Sequence, residues 1–249
     1  MITSNQNEQV KYWASLNEKK NRDKFKEYII EGEHLVIEAY KNGYLKTVIY
    51  KDKLNLNLEN IEKVEVSENV IKKISSTVTP QSVIGIARYF DDENVDLNKR
   101  IVALDGVQDP GNAGTIVRNS LAFGYNLVFF SNNSVDIYNS KFIRATQGYF
   151  YSLKIIRGDI KEFILKLKES NYDIISTYLD ASSVNINDIK TNEKHCVVMG
   201  NEGQGVSKEI INLSNIKTII PMNSIVDSLN VAVASGIVMY KINENLIEK

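Results

Sequence analysis

Apolar and polar positions follow two different rhythms along this chain. Up to about residue 90 the apolar residues come in short, mixed runs. "EHLVIEAYKNG" repeats them at helical spacing and stops at Gly43, which predicts a helix, while "LKTVIYK" and "KVEVS" predict strands. "ENVIKKISS" predicts a short helix capped by Ser67, and "SVIGIARY" an alternating strand. Beyond residue 100 the apolar runs are unbroken: "IVALDGV", "YNLVFFS", "YDIISTYL", "HCVVMG" and "IKTIIPM". Such runs suit strands covered on both faces, hence a mostly parallel sheet. Between them "IKEFILKLKESN" sets Ile160, Phe163, Ile164 and Leu167 on one stripe of a helix. "SLNVAVASGIVMY" is so uniformly apolar that it predicts a helix buried on all sides. The two rhythms meet at "YFDDENVDLNKR", which is polar, acidic and aperiodic. The division expected is a small α/β domain over residues 1–90, a linker over 91–99 and a parallel-sheet domain over 100–249.

In open parallel sheets ligands bind beyond the carboxyl ends of the strands, and three such ends are unusual here. "LDGVQDPGNAG" packs two turn-breaking motifs, Asp109-Pro110-Gly111 and Asn112-Ala113-Gly114, ahead of the helix "TIVRNSLAFG". "MGNEGQG" is glycine-rich but fits neither common phosphate-loop fingerprint. Its Glu202 has no evident structural purpose in a tight turn. "IPMNSIVDSLN" ends with Ser228 and Asn230, both ordinary helix caps. Arg118, six residues past Asn112, is expected to share a crevice with Glu202.

Composition narrows the possibilities further. The chain has 249 residues, 43% hydrophobic and 24% charged, as a globular protein does. It lacks an apolar stretch of the ~20 residues needed to span a bilayer, and its start lacks a secretory pattern. The single cysteine, Cys196, excludes an internal disulfide framework and fits a reducing cytoplasm. It lies inside an apolar run, where a free thiol usually just packs, and no His/Cys cluster has metal-ligand spacing. A net charge of −1 gives no global sign of nucleic-acid binding. Locally, "EKKNRDKFK" carries five basic residues against two acidic ones, and on charge alone it reads as a solvated helix face.

Taken together, these motifs resemble those of the SpoU (TrmH-like) family of RNA ribose 2'-O-methyltransferases, within the SPOUT group. The family's three motifs are matched by "DGVQDPGNAGTIVRNSLAFG", "VVMGNEGQGVS" and "IIPMNSIVDSLNVAVASGI", in order and with similar spacing. "KFIRATQGYFYSLKI" resembles the intervening segment. "EYIIEGEHLVIEA" and "SSTVTPQSVIGIA" resemble the family's ribosomal-protein-like substrate-binding domain.

The resemblance implies a parallel-sheet SPOUT domain with a deep trefoil knot, a homodimer built on the apolar C-terminal helix, and S-adenosylmethionine as cofactor. It implies that the cofactor lies against the backbone of Gly200, Ile220 and Leu229, with Gly203, Met222 and Ser228 beside them. Arg118, Glu202, Asn112 and Asn230 are the expected catalytic group. A guanidinium with a pKa above ~12 is a poor base near neutral pH, so Arg118 suits an electrostatic clamp better. Glu202 is left to assist proton transfer or to hold Arg118. Lys19, Lys20, Arg22, Lys24 and Lys26 then become a phosphate-binding arm, joined by Arg144. No metal or membrane partner is expected. Ribosomal RNA is favoured over transfer RNA as substrate, and a non-catalytic RNA-binding or ribosome-assembly protein is the alternative of a different class.

Overall fold

The computed structural model describes residues 1–90, 97, 100–180 and 182–247. All of the expected linker at 91–99 except Leu97 lies outside them. Two compact units form, one of Met1–Asn94 with Ile137–Tyr151 and one of Val95–Asp136 with Ser152–Lys249. The stretch Ile137–Tyr151, assigned from sequence to the parallel-sheet domain, thus packs with the N-terminal unit.

That unit contains α1 (Glu8–Ser15), α2 (Lys19–Phe25), β1 (Glu27–Glu31), α3 (Glu33–Lys41), β2 (Leu45–Tyr50), β3 (Glu62–Glu65), α4 (Glu68–Ile74) and β4 (Val83–Arg88). The sheet runs β1-β4-β2-β3. Period-two alternation gives it two buried faces. Ile29, Ile49, Ile84 and Ile86 pack with Val10, Trp13, Val70 and Ile74 of α1 and α4. From β1, Tyr28 turns the other way, and its hydroxyl meets that of Tyr151 at 2.8 Å. Tyr138 lies 4.8 Å from the Tyr28 ring and stacks on Tyr89 with centroids 3.6 Å apart. This aromatic layer explains why Ile137–Tyr151 joins the first unit: its large rings find their burial there. Ser67 does precede α4, but its hydroxyl binds Asn69 Oδ1 at 2.5 Å rather than a helix amide.

The second unit contributes β5 (Arg100–Asp105), α5 (Pro110–Ala122), β6 (Leu127–Ser131), β7 (Lys154–Gly158), α7 (Ile160–Glu169), β8 (Asp173–Thr177), β9 (Val184–Asn185), β10 (His195–Gly200), α8 (Lys208–Leu213), β11 (Ile216–Ile219) and α9 (Val231–Ile247); α6 (Ser140–Thr146) belongs to the first unit. The sheet runs β7-β6-β5-β10-β8-β11-β9, and every pairing is parallel. In β10, Cys196 and Val198 join the core cluster that contains Phe163, Ile164 and Ile210 of α7 and α8. Burial pushes the Cys196 thiol far up, which leaves it inert.

Two further sequence expectations need correction. Helix α5 starts at Pro110, so Gly111 and Gly114 are helical rather than turn residues. Asp109 caps it by accepting from Asn112 N at 2.8 Å, and proline at the first helical position costs no hydrogen bond. Helix α9 is not buried on all sides. Val233, Ile237 and Tyr240 are 53%, 38% and 55% exposed, and their spacing puts them on one stripe.

Candidate active site

The carboxyl ends of β5, β10 and β11 do converge. Beyond β8, β10 and β11 lies a cavity of about 510 Å³, a usual size for a small-molecule site. Gly200, Gly203, Ile220, Met222, Ser228 and Leu229 all line it. Sequence reasoning missed the contribution of Thr177, Tyr178 and Leu179 after β8, although the same strand-end rule points to them.

The β10 loop is folded so tightly that its main chain forms the wall. A Cβ on Gly200 would sit 2.0 Å from the Gly205 carbonyl carbon and 2.1 Å from Val206 N. Asn201 and Gly205 exchange both backbone hydrogen bonds, and Gly205 adopts φ +69°. Asn201 Oδ1 accepts from the amides of Gly203 and Gln204, while its Nδ2 donates to Gly106 O at 2.8 Å. Asn201 therefore closes its own turn and ties it to the loop after β5. An Asn two residues before a Gly is a recognisable turn signal, though only of conformation.

Glu202 proves to have a structural purpose. Its carboxylate accepts from the amides of Gln108 at 3.3 Å and Asp109 at 3.1 Å, and from Asn112 Nδ2 at 3.1 Å. Burial raises its pKa, but the bonds from Asn112 and these amides outweigh that and hold the carboxyl below the ordinary glutamate value. Asn112 Oδ1 in turn accepts from Asn230 Nδ2 at 2.9 Å, and Asn230 Oδ1 caps α9 by accepting from Ala232 N and Val233 N. The cap fixes which way Asn230 points, and each amide fixes the next. Glu202, Asn112 and Asn230 form one hydrogen-bonded row across three strand ends.

Arg118 stands apart from this row. It is exposed, is not among the residues lining the cavity, and among the described residues makes no hydrogen bond or ion pair. Glu202 does not hold it. Helical geometry explains this, because six residues on from Asn112 the side chain has turned ~120° around the helix.

The basic arm also divides. Lys20 and Lys24 are exposed, Lys19 pairs with Asp23 at 2.6 Å, and Lys26 lies 5.4 Å from the Tyr89 ring. Arg22 is only 8% exposed and donates Nη1 to Leu16 O and Asn17 O, carbonyls left open where α1 ends. It is a structural cation rather than part of a solvent-facing arm. Arg144, half-buried on α6, donates Nη1 to Ser76 Oγ at 3.3 Å.

The model of the SpoU rRNA Methylase family matches residues 99–240. The chain belongs to that family. Residues 7–85 match the MRM3-like substrate binding domain, the second domain expected of a two-domain SpoU protein. A Bacillus subtilis relative, 23S rRNA (guanosine(2553)-2'-O)-methyltransferase RlmP, is 32% identical over 96% of this chain and 97% of its own length. An Aquifex aeolicus tRNA (guanosine(18)-2'-O)-methyltransferase is 31% identical over 60% of the chain and 71% of its own. The solved AdoMet-bound rRNA methyltransferase of Sinorhizobium meliloti superposes with TM-score 0.88 at 31% identity, covering 98% and 97% of the two chains. Among the described residues no helix of this SpoU protein is long and apolar enough to cross a membrane.

Proposed function

We propose that this SpoU-family chain methylates a ribose 2'-hydroxyl of ribosomal RNA in the cytoplasm, using S-adenosylmethionine held in the cavity beyond β10 and β11. The observation that carries this reading is the convergence of Gly200, Gly203, Ile220, Met222, Ser228 and Leu229 on that one cavity, beside the Glu202–Asn112–Asn230 row. A wall made of main chain, with no room for a Cβ at Gly200, suits a ligand recognised by backbone groups. The full-length likeness to the Bacillus subtilis 23S enzyme includes the first unit, whereas the tRNA enzyme matches only 60% of the chain; this favours ribosomal RNA.

The bound cofactor supplies an electrophilic methyl group on a sulfonium, and the chain's own residues do the rest. Asn112 and Asn230, locked by their mutual bond, orient the ribose and cofactor. Glu202 is ionised at neutral pH and a weak base, so it works by holding the Gln108–Asn112 loop and the Asn112 amide in place. Arg118 clamps a phosphate next to the target and favours the developing alkoxide, whose proton passes to water. Lys19, Lys20 and Lys24 attract the RNA backbone.

The same reading includes a knotted C-terminal segment and a homodimer. Supporting the first, β11 lies outside β8, yet the chain that follows lines the β10 cavity before entering α9. For the second, the exposed stripe Val233, Ile237, Tyr240 is an apolar face fit for an isologous partner. Mapping 2'-O-methyl positions in ribosomal RNA from cells with and without the gene tests the activity. A position lost with the gene and restored by its re-expression is expected; an unchanged map overturns the reading. Light scattering at micromolar protein tests the dimer, and a monomeric mass would contradict it.

A further inference from the structure

The first unit holds a second cavity, of about 250 Å³, that has no part in binding the cofactor. Its polar wall comes from two distant stretches of sequence: Asn17, Arg22 and Ser76 from the N-terminal region, and Tyr138, Asn139 and Ser140 from the segment entering α6. The first group lies in the match to the substrate-binding domain, residues 7–85, and the second in the match to the methylase, residues 99–240. The site exists only because Ile137–Tyr151 packs with the N-terminal unit.

The wall is organised before any ligand arrives. Glu31, 7% exposed, accepts from Ser75 Oγ at 2.7 Å, Ser76 N at 2.8 Å, Ser76 Oγ at 2.7 Å and Thr77 Oγ1 at 3.0 Å, which pins the loop carrying Ser76. Arg22 pins the corner at Leu16 and Asn17 from below. Asn139 Oδ1 is spent on Lys141 N at 2.8 Å, which leaves its Nδ2 as a donor. Asn17 Nδ2 is spent on Ala14 O and Ile74 O, which leaves its Oδ1 as an acceptor. Ser140 Oγ can do either. Arg144, held by Ser76, brings a guanidinium to the Ser76 side of the cavity.

We infer that this cavity takes one unstacked nucleotide of the RNA substrate, its base edge read by Asn17, Asn139 and Ser140 and its phosphate met by Arg144. The inference rests on the reading of the chain as an RNA methyltransferase. A mixed donor and acceptor edge is what a nucleobase presents once it leaves the stack, and single-stranded RNA is recognised through such splayed bases. A cation bonded to the lining Ser76 suits the phosphate attached to such a base. None of the residues lining this cavity lines the one beyond β10 and β11.

The test uses the full chain and an unmodified 23S ribosomal RNA transcript. Ser140→Phe fills the cavity. Asn139→Asp keeps the oxygen that caps α6, removes the Nδ2 donors and adds a charge that repels RNA. Both should weaken transcript binding by about tenfold or more, the scale of one lost base contact. S-adenosylmethionine affinity by calorimetry and the melting temperature should stay at wild-type values. Arg144→Ala should lower the slope of log affinity against log salt by ~0.7, as for one lost single-strand phosphate contact. Wild-type affinity in both cavity variants overturns the subsite. If the wild-type chain binds no transcript, the RNA reading itself fails and the subsite falls with it. If free nucleoside monophosphates bind wild type without RNA and Ser140→Phe abolishes that, the cavity serves a free nucleotide and the assignment to RNA is overturned.

Discussion

The two cavities are built from different materials. The one beyond β10 and β11 has a wall of main chain folded on itself, with Gly200 pressed against Gly205 and Val206. The one in the first unit has a wall of side chains, in which Asn17 and Asn139 each spend one polar atom on the scaffold and keep another. A backbone wall presents the same amides and carbonyls whatever the side chains are, which suits an invariant ligand. A side-chain wall can be rewritten one residue at a time, which suits a varied one. The cofactor cavity should therefore be sensitive to added volume, and the other cavity to altered polarity.

Gly200→Ala is the sharpest way to break this contrast. An atom placed 2.0 Å from a backbone carbon cannot be accommodated by a rotamer change, so the loop must open. We expect no calorimetric S-adenosylmethionine binding, and a stability loss of about 1–3 kcal/mol in thermal unfolding. Retained binding would show that the wall is softer than its packing implies.

Arg118→Ala comes next. Turnover on ribosomal RNA should fall ~100-fold or more, the scale seen when one preorganised donor is removed. Cofactor affinity should hardly change, because Arg118 does not line the cavity. Arg118→Lys should not restore full activity, since an ammonium cannot reproduce the guanidinium fork. A wild-type rate at saturating RNA in the alanine variant would remove Arg118 from the mechanism.

Glu202→Gln should have a smaller effect, about tenfold in kcat/KM, corresponding to one charged hydrogen-bond acceptor weakened. Its carboxyl is held below the ordinary glutamate value, so it is ionised throughout the neutral range. The ratio of wild-type to variant activity should stay flat from about pH 6 to pH 8. A ratio that climbs with pH through that range would make Glu202 a proton acceptor after all.

The smallest effect lies at the start of β10, the end of that strand opposite the cavity. His195 is fully buried, with Nδ1 2.6 Å from Asn192 O and Nε2 2.9 Å from Tyr125 Oη. The carbonyl requires a proton on Nδ1, so Nε2 accepts from the tyrosine in the neutral ring. Burial holds the His195 pKa below its ordinary value. The unfolded chain then takes up a proton first as pH falls. Stability is full above the unfolded value of ~6.5 and declines below it. Chemical denaturation between pH 7.5 and pH 5.5 should show this decline, and a His195→Gln variant should lose that component.

Legibility in the sequence followed the same divide. The second unit's strands were visible as unbroken runs of Val, Ile and Phe, and a cavity was to be expected beyond strand ends rich in Gly, Pro and Asn. Arg22 could not be placed, because its burial depends on carbonyls left open by another helix, which no local pattern reports. The start of α5 was read too late, since Pro110 and Gly111 break helices inside but not at their first turn. Glu202 stood out in the sequence, while its hydrogen-bond partners, ninety or more residues earlier in the chain, emerged only with the fold. The resemblance of motifs supplied the cofactor and the chemistry; periodicity supplied neither.

The aromatic layer that draws Ile137–Tyr151 into the first unit also bears on how such proteins can change over time. The chain passes between the units three times, near residues 94, 136 and 151. A lineage that exchanged everything before residue 90 for another module would strand Tyr138 and Tyr151 without the rings of Tyr28 and Tyr89 that bury them. Replacing the residues before 90 would therefore also require repacking the fifteen residues Ile137–Tyr151.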